Sequence, residues 1–414
     1  MTLGSRGDVQ PYVALAQALI GCGHSAVVCT GGSFEDFVRE NGVEYESATL
    51  DLMALAKTPE GNAMLNGGIR QIRKTLRFAK EVWSPAFRQS LDDFWRAAQG
   101  SDIIVYHPKV LAAVDMANAL GIPAVHMPPV PVVWPIPEFP NPALSPRGRY
   151  GAVLNRLTYR VNNLADSSGI REINDFRQKL LELPGRKAGA YALMNGKTQI
   201  PLIYPVSTLL FKDVSSWEGH VYVPGFFFLE PKEERLPDEL ERFLDAGAPP
   251  VVVTFSSMPL KDPQSFGEML KAALTQSAER AVVLTGASGL EALKSGDNLL
   301  VLPGAPHRLL FSRAKGVLHH GGVGTLAEAL RTGVPQCVMP FSVDQPFWAE
   351  RLSRLKCAVP TLKEKKTDAK ALTTVFEQMG DFSLIVKAKE MGEKIRAENA
   401  VSRTVEYLER LVDV

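Results

Sequence analysis

The sequence predicts an α/β protein with two doubly wound parallel sheets, one in each half of the chain, facing each other across a cleft. Apolar runs of strand length alternate with segments of helical period, a pattern typical of parallel sheets covered by helices on both faces. At 414 residues the chain exceeds the length at which a single core usually stops growing. The predicted strands are 25–30, 102–106 and 124–127 in the first half, and 251–255, 281–285, 299–302, 316–319 and 336–340 in the second.

A charged stretch with two prolines separates the two halves. Residues 230–237 have neither strand nor helix period, which favours an interdomain linker. Residues 1–229 then form the first domain and residues 238–390 the second. Residues 391–414 space their apolar side chains at helical intervals, which predicts a helix that packs back across the domain junction.

Composition excludes several classes of function. The 46 basic and 45 acidic residues give a formal net charge of +1, so the sequence does not suggest the broad positive field that a nucleic acid or an anionic membrane would need. The four cysteines form no CxxC pair, so we expect no disulfide framework, no structural zinc and a cytoplasmic location. The sequence shows neither a signal peptide nor a run of about 18 apolar residues. We therefore expect a monomer whose membrane contact is peripheral at most.

The first glycine-rich turn, which begins at Gly4, leads from a very short strand into a helix. Only three residues precede it, whereas a central parallel strand usually needs about five, so either this strand is unusually short or the sequence starts inside it. If Pro11 takes the first helical position, Gln10 is the N-cap and Asp8 stands before the helix with a free carboxylate. Asp8 is then predicted to be a catalytic base, with a helix cap as the alternative.

The most informative motif in the second half of the chain is a second glycine-rich loop. It connects a predicted strand to a helix, where bare backbone N–H groups and the positive helix end can hold a diphosphate. His319 is predicted to donate a hydrogen bond to a phosphate oxygen, and Asp344 and Gln345, beyond the next strand, to bind sugar hydroxyls. The loop residues predicted to contact the ligand are Gly321, Gly322, Gly324 and Thr325.

The same loop fits the loose dinucleotide pattern GxGxxA over residues 322–327, so an NAD(P)-dependent oxidoreductase is the competing class. Two features argue against it. Asp344, the candidate ribose ligand, is followed at once by glutamine, and the pattern does not open a domain. Glycines that only tighten a helix–sheet contact are the structural alternative.

No Asp-x-Asp occurs in the sequence. This carboxylate pair is the usual means by which sugar transferases hold a divalent cation on a diphosphate. We therefore expect no metal and no cofactor, and we expect helix dipoles, backbone amides and His319 to neutralise the diphosphate charge.

Together these motifs resemble the family 1 glycosyltransferases of GT-B fold, in the branch of sterol glucosyltransferases and of glycopeptide and macrolide antibiotic glycosyltransferases. Residues 4–11 resemble the GSRGDVQP signature of that branch, and residues 319–345 resemble its HHGGxGT and PFxxDQ signatures. Lesser similarities extend the match over nearly the whole chain, at 106–109, 139–142 and 224–226. The resemblance implies two Rossmann-like domains, with the donor bound mainly by the second and the acceptor by the first.

The resemblance also implies inverting transfer by single displacement from a nucleotide sugar. UDP-glucose is the expected donor, and a dTDP-deoxysugar is the alternative. Asp8 matches the catalytic acidic position and His319 the diphosphate-binding histidine, while Ser257 and His307 match donor-side loops. Ser256 departs from the family, which often has glycine there.

The acceptor is expected to be lipophilic, such as a sterol, a terpenoid, a polyketide or a lipid. Most aromatic residues between 50 and 95 are expected in the core, and the proline-rich stretch 123–146 is expected to border the cleft. A binding module without activity is the alternative if the short first strand misplaces Asp8. The candidate acceptor residues are Met53, Trp83, His107 and Trp134.

Overall fold

The computed structural model describes residues 1–58, 61, 79–146, 148, 150–218, 220–230, 234–256, 258–341 and 344–413. The strands described in the first half are short and mostly parallel. They are β1 (Val27–Gly31), β2 (Glu44–Ala48), β3 (Ile104–Tyr106), β4 (Ala124–His126), β5 (Met194–Asn195), β6 (Thr198–Gln199), β7 (Leu202–Ile203) and β8 (Val221–Tyr222). β1 pairs with β2, the order β3-β4-β7-β8 forms a four-stranded sheet, and β5 and β6 form a small antiparallel pair.

The first three residues connect the β1-β2 pair to the four-stranded sheet. The backbone N–H of Thr2 donates to the carbonyl of Cys29 at 3.0 Å, on β1. On the other side, the amine of Met1 donates to the backbone carbonyl of Val105 at 2.9 Å. The backbone N–H of His107 donates to the carbonyl of Met1 at 3.0 Å. Three residues therefore fill the central strand position of the first sheet, between β1 and β3.

The second half contains a five-stranded parallel sheet in the order β11-β10-β9-β12-β13. In register, Val251 lies opposite both Ala281 and Gly316. Every residue of β9, β10 and β12 is buried, as expected for a sheet covered on both faces. The strands are β9 (Val251–Thr254), β10 (Ala281–Leu284), β11 (Leu299–Leu302), β12 (Gly316–His319) and β13 (Gln336–Val338).

Helices cover both sheets. Those described in the first half are α1 (Arg6–Gly21), α2 (Glu35–Glu40), α3 (Leu52–Ala56), α4 (Ser84–Ala98), α5 (Ala113–Leu120), α6 (Ala152–Thr158), α7 (Asn162–Ser167) and α8 (Ile170–Lys179). Those in the second half are α9 (Asp238–Asp245), α10 (Pro263–Ser277), α11 (His307–Phe311), α12 (Val323–Thr332), α13 (Gln345–Arg354), α14 (Ala369–Gln378), α15 (Phe382–Arg396) and α16 (Ala400–Val412). The two parallel sheets with their helices confirm the predicted α/β class.

Both sheets reverse their strand order next to a central strand, and open α/β sheets bind ligands at such switch points. In the second sheet the reversal lies between β9 and β12, whose carboxyl ends are Thr254 and His319. In the first sheet it lies between the opening residues and β3. The loops that leave these strands carry Asp8, His107 and the glycine-rich loop, so the topology places the predicted site residues at the two switch points.

An apolar core joins the two halves. It includes Trp134, Tyr204 and Trp217 from the first half, and Phe347 and Trp348 from the second. All five side chains are less than 9% exposed. This shared core packs the two halves of the chain against each other.

The C-terminal residues return to the first domain. A single helix is expected from residue 391, but the structure has two, α15 and α16, separated by Asn399 in the left-handed conformation. Val405 and Leu408 of α16 pack in the same apolar cluster as Val9 and Val13 of α1. Of the expected linker, residues 231–233 lie outside the described residues, and 234–237 contain neither helix nor strand.

Among the described residues, no helix combines the length and the apolar composition needed to cross a bilayer.

Candidate active site

Asp8 lies in the first turn of α1. Ser5 is the N-cap, and its backbone N–H donates to Asp8 Oδ2 at 2.7 Å, which is the reciprocal half of a capping box. Pro11 falls inside the helix. The expectation that Gln10 caps the helix and leaves Asp8 before it with a free carboxylate is therefore wrong, because Ser5 provides an earlier cap.

Two further groups hold the Asp8 carboxylate. His107 Nε2 lies 3.1 Å from Oδ1, and Lys109 Nζ lies 3.2 Å from Oδ2. The backbone N–H of Lys109 donates to His107 Nδ1 at 3.1 Å, so the ring proton of neutral His107 is on Nε2 and points at Asp8. His107 is only 3% exposed, so its ring orientation is fixed by packing as well as by both nitrogens.

This environment keeps Asp8 ionised. Burial opposes ionisation, but the hydrogen bond from His107 and the charge of Lys109 outweigh it and hold the pKa of Asp8 well below its usual value. The turn also depends on Gly4. Its φ is +144°, and a Cβ there would lie 2.1 Å from Asp8 Oδ2. Only glycine fits beside this carboxylate.

The second glycine-rich loop leaves β12 and enters the ten-residue helix α12. Gly321 has φ +90°, and a Cβ there would lie 2.6 Å from Val338. Gly324 is exposed in the first turn, and a Cβ there would meet no atom within 4 Å. Gly322 is the N-cap, and Thr325 is buried. The helix N-terminus therefore presents backbone N–H groups to open space, an arrangement suited to a phosphate.

His319 does not reach that space. It is fully buried, its Nε2 lies 3.0 Å from Gln336 Oε1, and its Nδ1 accepts from the N–H of Gly321 at 3.1 Å. Burial lowers its pKa to about 3, so the ring is neutral. The expectation that His319 donates to a phosphate conflicts with this geometry, because both ring nitrogens are engaged beneath the loop.

His320 was missed as a site residue. It lies one residue beyond the strand, is 8% exposed, and has no hydrogen-bond partner at Nδ1 among the described residues. Burial lowers its pKa to about 4, while the Thr254 carbonyl opposes the shift. Side chains of consecutive residues point in different directions at the end of a strand, so His319 and His320 cannot face the same ligand. The second histidine directly precedes the glycines, and this position could have identified it from the sequence.

Asp344 and Gln345 open α13 on the same side of the second sheet. Asp344 Oδ2 accepts from Trp348 Nε1 at 2.6 Å, and Gln345 Oε1 accepts from Phe341 N–H at 2.8 Å. Burial raises the pKa of Asp344, the hydrogen bond from Trp348 opposes this, and the negative charge of Asp8 adds to it. The charge of Asp8 therefore reaches Asp344, although the two carboxylates belong to different halves of the chain.

Two other titratable residues of the second domain have shifted pKa values, and one of them is influenced by the first domain. Burial lowers the pKa of His307 to about 4, and the charge of Arg6 contributes to the shift. His307 begins α11 and stacks on Phe311. Burial also raises the pKa of Glu328 on α12 to about 7. Its Oε2 has no partner among the described residues, which makes Glu328 a second candidate that sequence reasoning missed.

The loop after β9 is only partly described. Ser257, a predicted donor contact, lies outside the described residues. Ser256 has φ +54°, a left-handed conformation that favours glycine, and its carbonyl oxygen would lie 2.2 Å from a Cβ at Gly286. The turn therefore has the geometry for which the resembling sequences use glycine.

The predicted acceptor residues are not all brought together. His107 contacts Asp8, as described above. Trp134 is 8% exposed in the interdomain core, with its ring against His220, and its contact with an acceptor stays a prediction. Trp83 is half-buried against the core of the first domain, and Met53 is half-buried at the start of α3.

Both halves of the chain match family models. Residues 1–115 match the glycosyltransferase family 28 N-terminal domain, and residues 269–411 match the erythromycin biosynthesis protein CIII-like C-terminal domain. Solved structures share the fold over the whole chain. The calicheamicin glycosyltransferase CalG4 aligns with a TM-score of 0.70 at 17% identity, over 99% of this chain and 96% of that chain. Glycosyltransferase VinC in complex with dTDP aligns with a TM-score of 0.67 at 19% identity, over 99% and 98%.

Two relatives represent the two groups of matches. The O-mycaminosyltylonolide 6-deoxyallosyltransferase of Streptomyces fradiae is 32% identical over 419 residues, 99% of this chain and 96% of that enzyme. The sterol 3-beta-glucosyltransferase of Debaryomyces hansenii is 29% identical over 436 residues, 99% of this chain but 26% of the longer enzyme. The oxidoreductase alternative is therefore set aside. The chain belongs to the GT-B glycosyltransferases, in the family that contains antibiotic glycosyltransferases and sterol glucosyltransferases.

Proposed function

We propose that this glycosyltransferase moves a hexose from a nucleotide diphosphate to a hydroxyl group of a lipophilic acceptor, with inversion and without a metal. The observation that supports it most is that the ionised Asp8 carboxylate influences Asp344, which begins α13 in the second domain. A base on one wall and a diphosphate cradle on the other are the two parts that a single displacement requires.

In the proposed reaction the acceptor oxygen attacks the anomeric carbon while its proton passes to an Asp8 carboxylate oxygen. The bond from the anomeric carbon to the diphosphate oxygen breaks, and its electron pair leaves with the nucleotide diphosphate. His107 is a positioning residue, because its Nε2–H is directed at Oδ1 and it has no free nitrogen for the acceptor. Backbone N–H groups of α12 stabilise the charge on the departing diphosphate.

The diphosphate contact predicted for His319 is better assigned to His320. Its ring lies beside Gly322, close enough that a Cβ there would be 2.3 Å from Nε2. Glu328 follows Thr325 by one helical turn, so it lies on the same face of α12. Its unpartnered oxygen is suited to accept a hydrogen bond from a donor hydroxyl.

The low pKa of Asp8 makes it a weak base in the free enzyme, since a base works best when its pKa is near the working pH. Of the side chains that hold it, Lys109 is the more loosely packed, with 45% of its side chain exposed. An acceptor hydroxyl that displaces the Lys109 ammonium from Oδ2 would raise the pKa of Asp8. We propose that acceptor binding activates the base in this way.

UDP-glucose is the proposed donor, supported by the relatives named as sterol 3-beta-glucosyltransferases. A dTDP-deoxysugar is the second candidate, because the deoxyallosyltransferase matches this chain over nearly its whole length. Thermal unfolding with UDP, dTDP, UDP-glucose and NADH separates the candidates, since a ligand of the native state raises the unfolding temperature. Stabilisation by UDP or dTDP supports the proposal and shows whether the nucleotide of the donor carries uracil or thymine. A response to NADH alone, or to no nucleotide, contradicts it.

A further inference from the structure

Exposed apolar side chains are concentrated in one stretch of the first domain. Five large apolar residues within the 144–157 stretch are between 42% and 73% exposed. Scattered exposed apolar residues are common on proteins, but a contiguous group indicates an interaction surface. The five residues are Leu144, Tyr150, Val153, Leu154 and Leu157.

The helix α6 has two distinct faces here. Its inner face is anchored by Asn155, whose side-chain amide donates to the Pro137 carbonyl at 2.8 Å, and by buried Tyr159 just beyond its end. The outer face carries exposed Val153, Leu154 and Leu157. The apolar side chains are therefore held outward by a rigid inner attachment and do not belong to a core.

The sequence of this stretch is basic. Residues 139–165 contain four arginines, Arg147, Arg149, Arg156 and Arg160, and no acidic residue. Arg156 and Arg160 are exposed and one helical turn apart. Arg156 has a surface partner in Glu218 at 3.3 Å, an exposed pair of the kind that contributes little. A short helix with apolar and basic residues together on its outer face is typical of binding to an anionic membrane surface.

An apolar cavity lies against the same helix. Its volume is about 460 Å³, and α6 contributes Val153 and Leu157 to its wall. Val133 and Pro135, from the proline-rich loop, line another part of it. A lipophilic molecule that leaves a membrane at α6 would therefore meet an apolar space next to the proline-rich loop.

We propose that the outer face of α6, with Leu144 and Tyr150, docks on the surface of an anionic lipid bilayer. A second copy of this chain fits the same face less well, because a two-fold dimer places equivalent patches together and would bring the arginines against each other. A bilayer accepts the apolar side chains and attracts the arginines, each of which adds to the affinity. Docking itself does not depend on the sugar donor. Only the link to a lipophilic acceptor rests on the proposed function.

The test is co-sedimentation with vesicles of phosphatidylcholine alone and of phosphatidylcholine with phosphatidylglycerol, at low and high salt. The double variant Val153→Ser/Leu154→Ser is expected to bind the anionic vesicles at least roughly ten-fold more weakly, since it removes two apolar side chains. Arg156→Gln/Arg160→Gln is expected to weaken the preference for anionic vesicles, because it removes two of the four arginines of this stretch. The matched control is Phe382→Ser on α15, whose ring is 80% exposed in the other domain. It should bind like wild type.

Each variant is checked for folding by its unfolding temperature and by stabilisation with UDP or dTDP, which reports the donor site separately. Wild-type protein that ignores both vesicles, or patch variants that bind like wild type, would overturn the proposal. Size-exclusion chromatography gives the other decisive result. A wild-type dimer that Val153→Ser/Leu154→Ser converts to a monomer, without vesicle binding, would assign the surface to a second copy instead.

Discussion

His107 Nε2 lies 3.1 Å from Asp8 Oδ1 although 99 residues separate the two along the chain. The contact exists because the three opening residues hydrogen-bond to β3, which brings the start of α1 beside the loop after that strand. His107 uses its other ring nitrogen for Lys109 N–H. A histidine with no free nitrogen orients a carboxylate but cannot itself accept the acceptor proton, so the chemistry is assigned to Asp8.

Lys109→Met tests how the base is tuned. Burial raises the pKa of Asp8, while the hydrogen bond from His107 and the charge of Lys109 lower it. Removing the Lys109 charge should therefore raise the pKa of Asp8 toward its ordinary value. Asp8 accepts a proton only when ionised, so the acid limb of the pH profile of kcat/KM is expected to move to higher pH. The measurement is the pH dependence of transfer in both proteins. An acid limb that stays in place contradicts the role of Lys109.

Single substitutions at the two neighbouring histidines should have different consequences, a loss of nucleotide binding for one and a loss of stability for the other. His320→Ala is expected to weaken binding of the nucleoside diphosphate by roughly ten-fold, the scale of one lost charge-assisted hydrogen bond, with little change in stability. His319→Ala is expected to lower stability by about 1–3 kcal/mol, because it leaves Gln336 without a buried partner. Calorimetry with UDP or dTDP and urea unfolding measure the two effects. A loss of nucleotide binding in His319→Ala alone would contradict this account and support the prediction from sequence that His319 contacts the diphosphate.

Acid should destabilise the fold through its buried histidines. Burial lowers the pKa of His126 to about 3, against about 6.5 in an unfolded chain. The unfolded state therefore takes up the proton first, so this stability is present above about pH 6.5 and is lost as the pH falls below it. The loss approaches about 1.4 kcal/mol per pH unit for one histidine.

His126→Phe isolates that effect, because phenylalanine can keep the stacking on Tyr106, whose ring centroid lies 4.4 Å from that of His126. The free energy of unfolding of this variant is expected to fall less steeply than that of wild type between pH 6.5 and 5. Urea unfolding at a series of pH values measures both slopes. Equal slopes would show that His126 is not neutral in the folded protein.

The architecture could be predicted from the sequence because long apolar runs and their spacing carry it. The predicted strands 299–302 and 316–319 coincide with β11 and β12, and the others found from apolar runs overlap the observed strands. The five-residue strand β2 was not predicted, and neither was the antiparallel pair of β5 and β6. β7 and β8 were not predicted either. Each has two residues, too few to show a period, and they form because the neighbouring strands provide hydrogen-bonding edges.

The site could be predicted less completely, because its details depend on contacts between distant residues. Asp8 could be identified from its turn, but its partners His107 and Lys109 come from a loop that the turn sequence does not reveal. Serine is a preferred N-cap and glutamine is not, but the preference of proline for the first helical turn made Gln10 the expected cap, whereas the helix begins after Ser5. His319 and His320 differ by one residue, and the end of β12 decides which one lies under the loop.

The most direct test of Asp8 as the catalytic base is acceptor-dependent release of nucleoside diphosphate by wild type and Asp8→Asn. The variant keeps the volume of the side chain but removes the base, and transfer is expected to fall by roughly 10²–10⁴-fold while UDP or dTDP binding is retained. Asp36→Asn, an exposed acid in the first turn of α2, is the control and should leave transfer unchanged. Asp8→Asn with wild-type turnover would contradict the account.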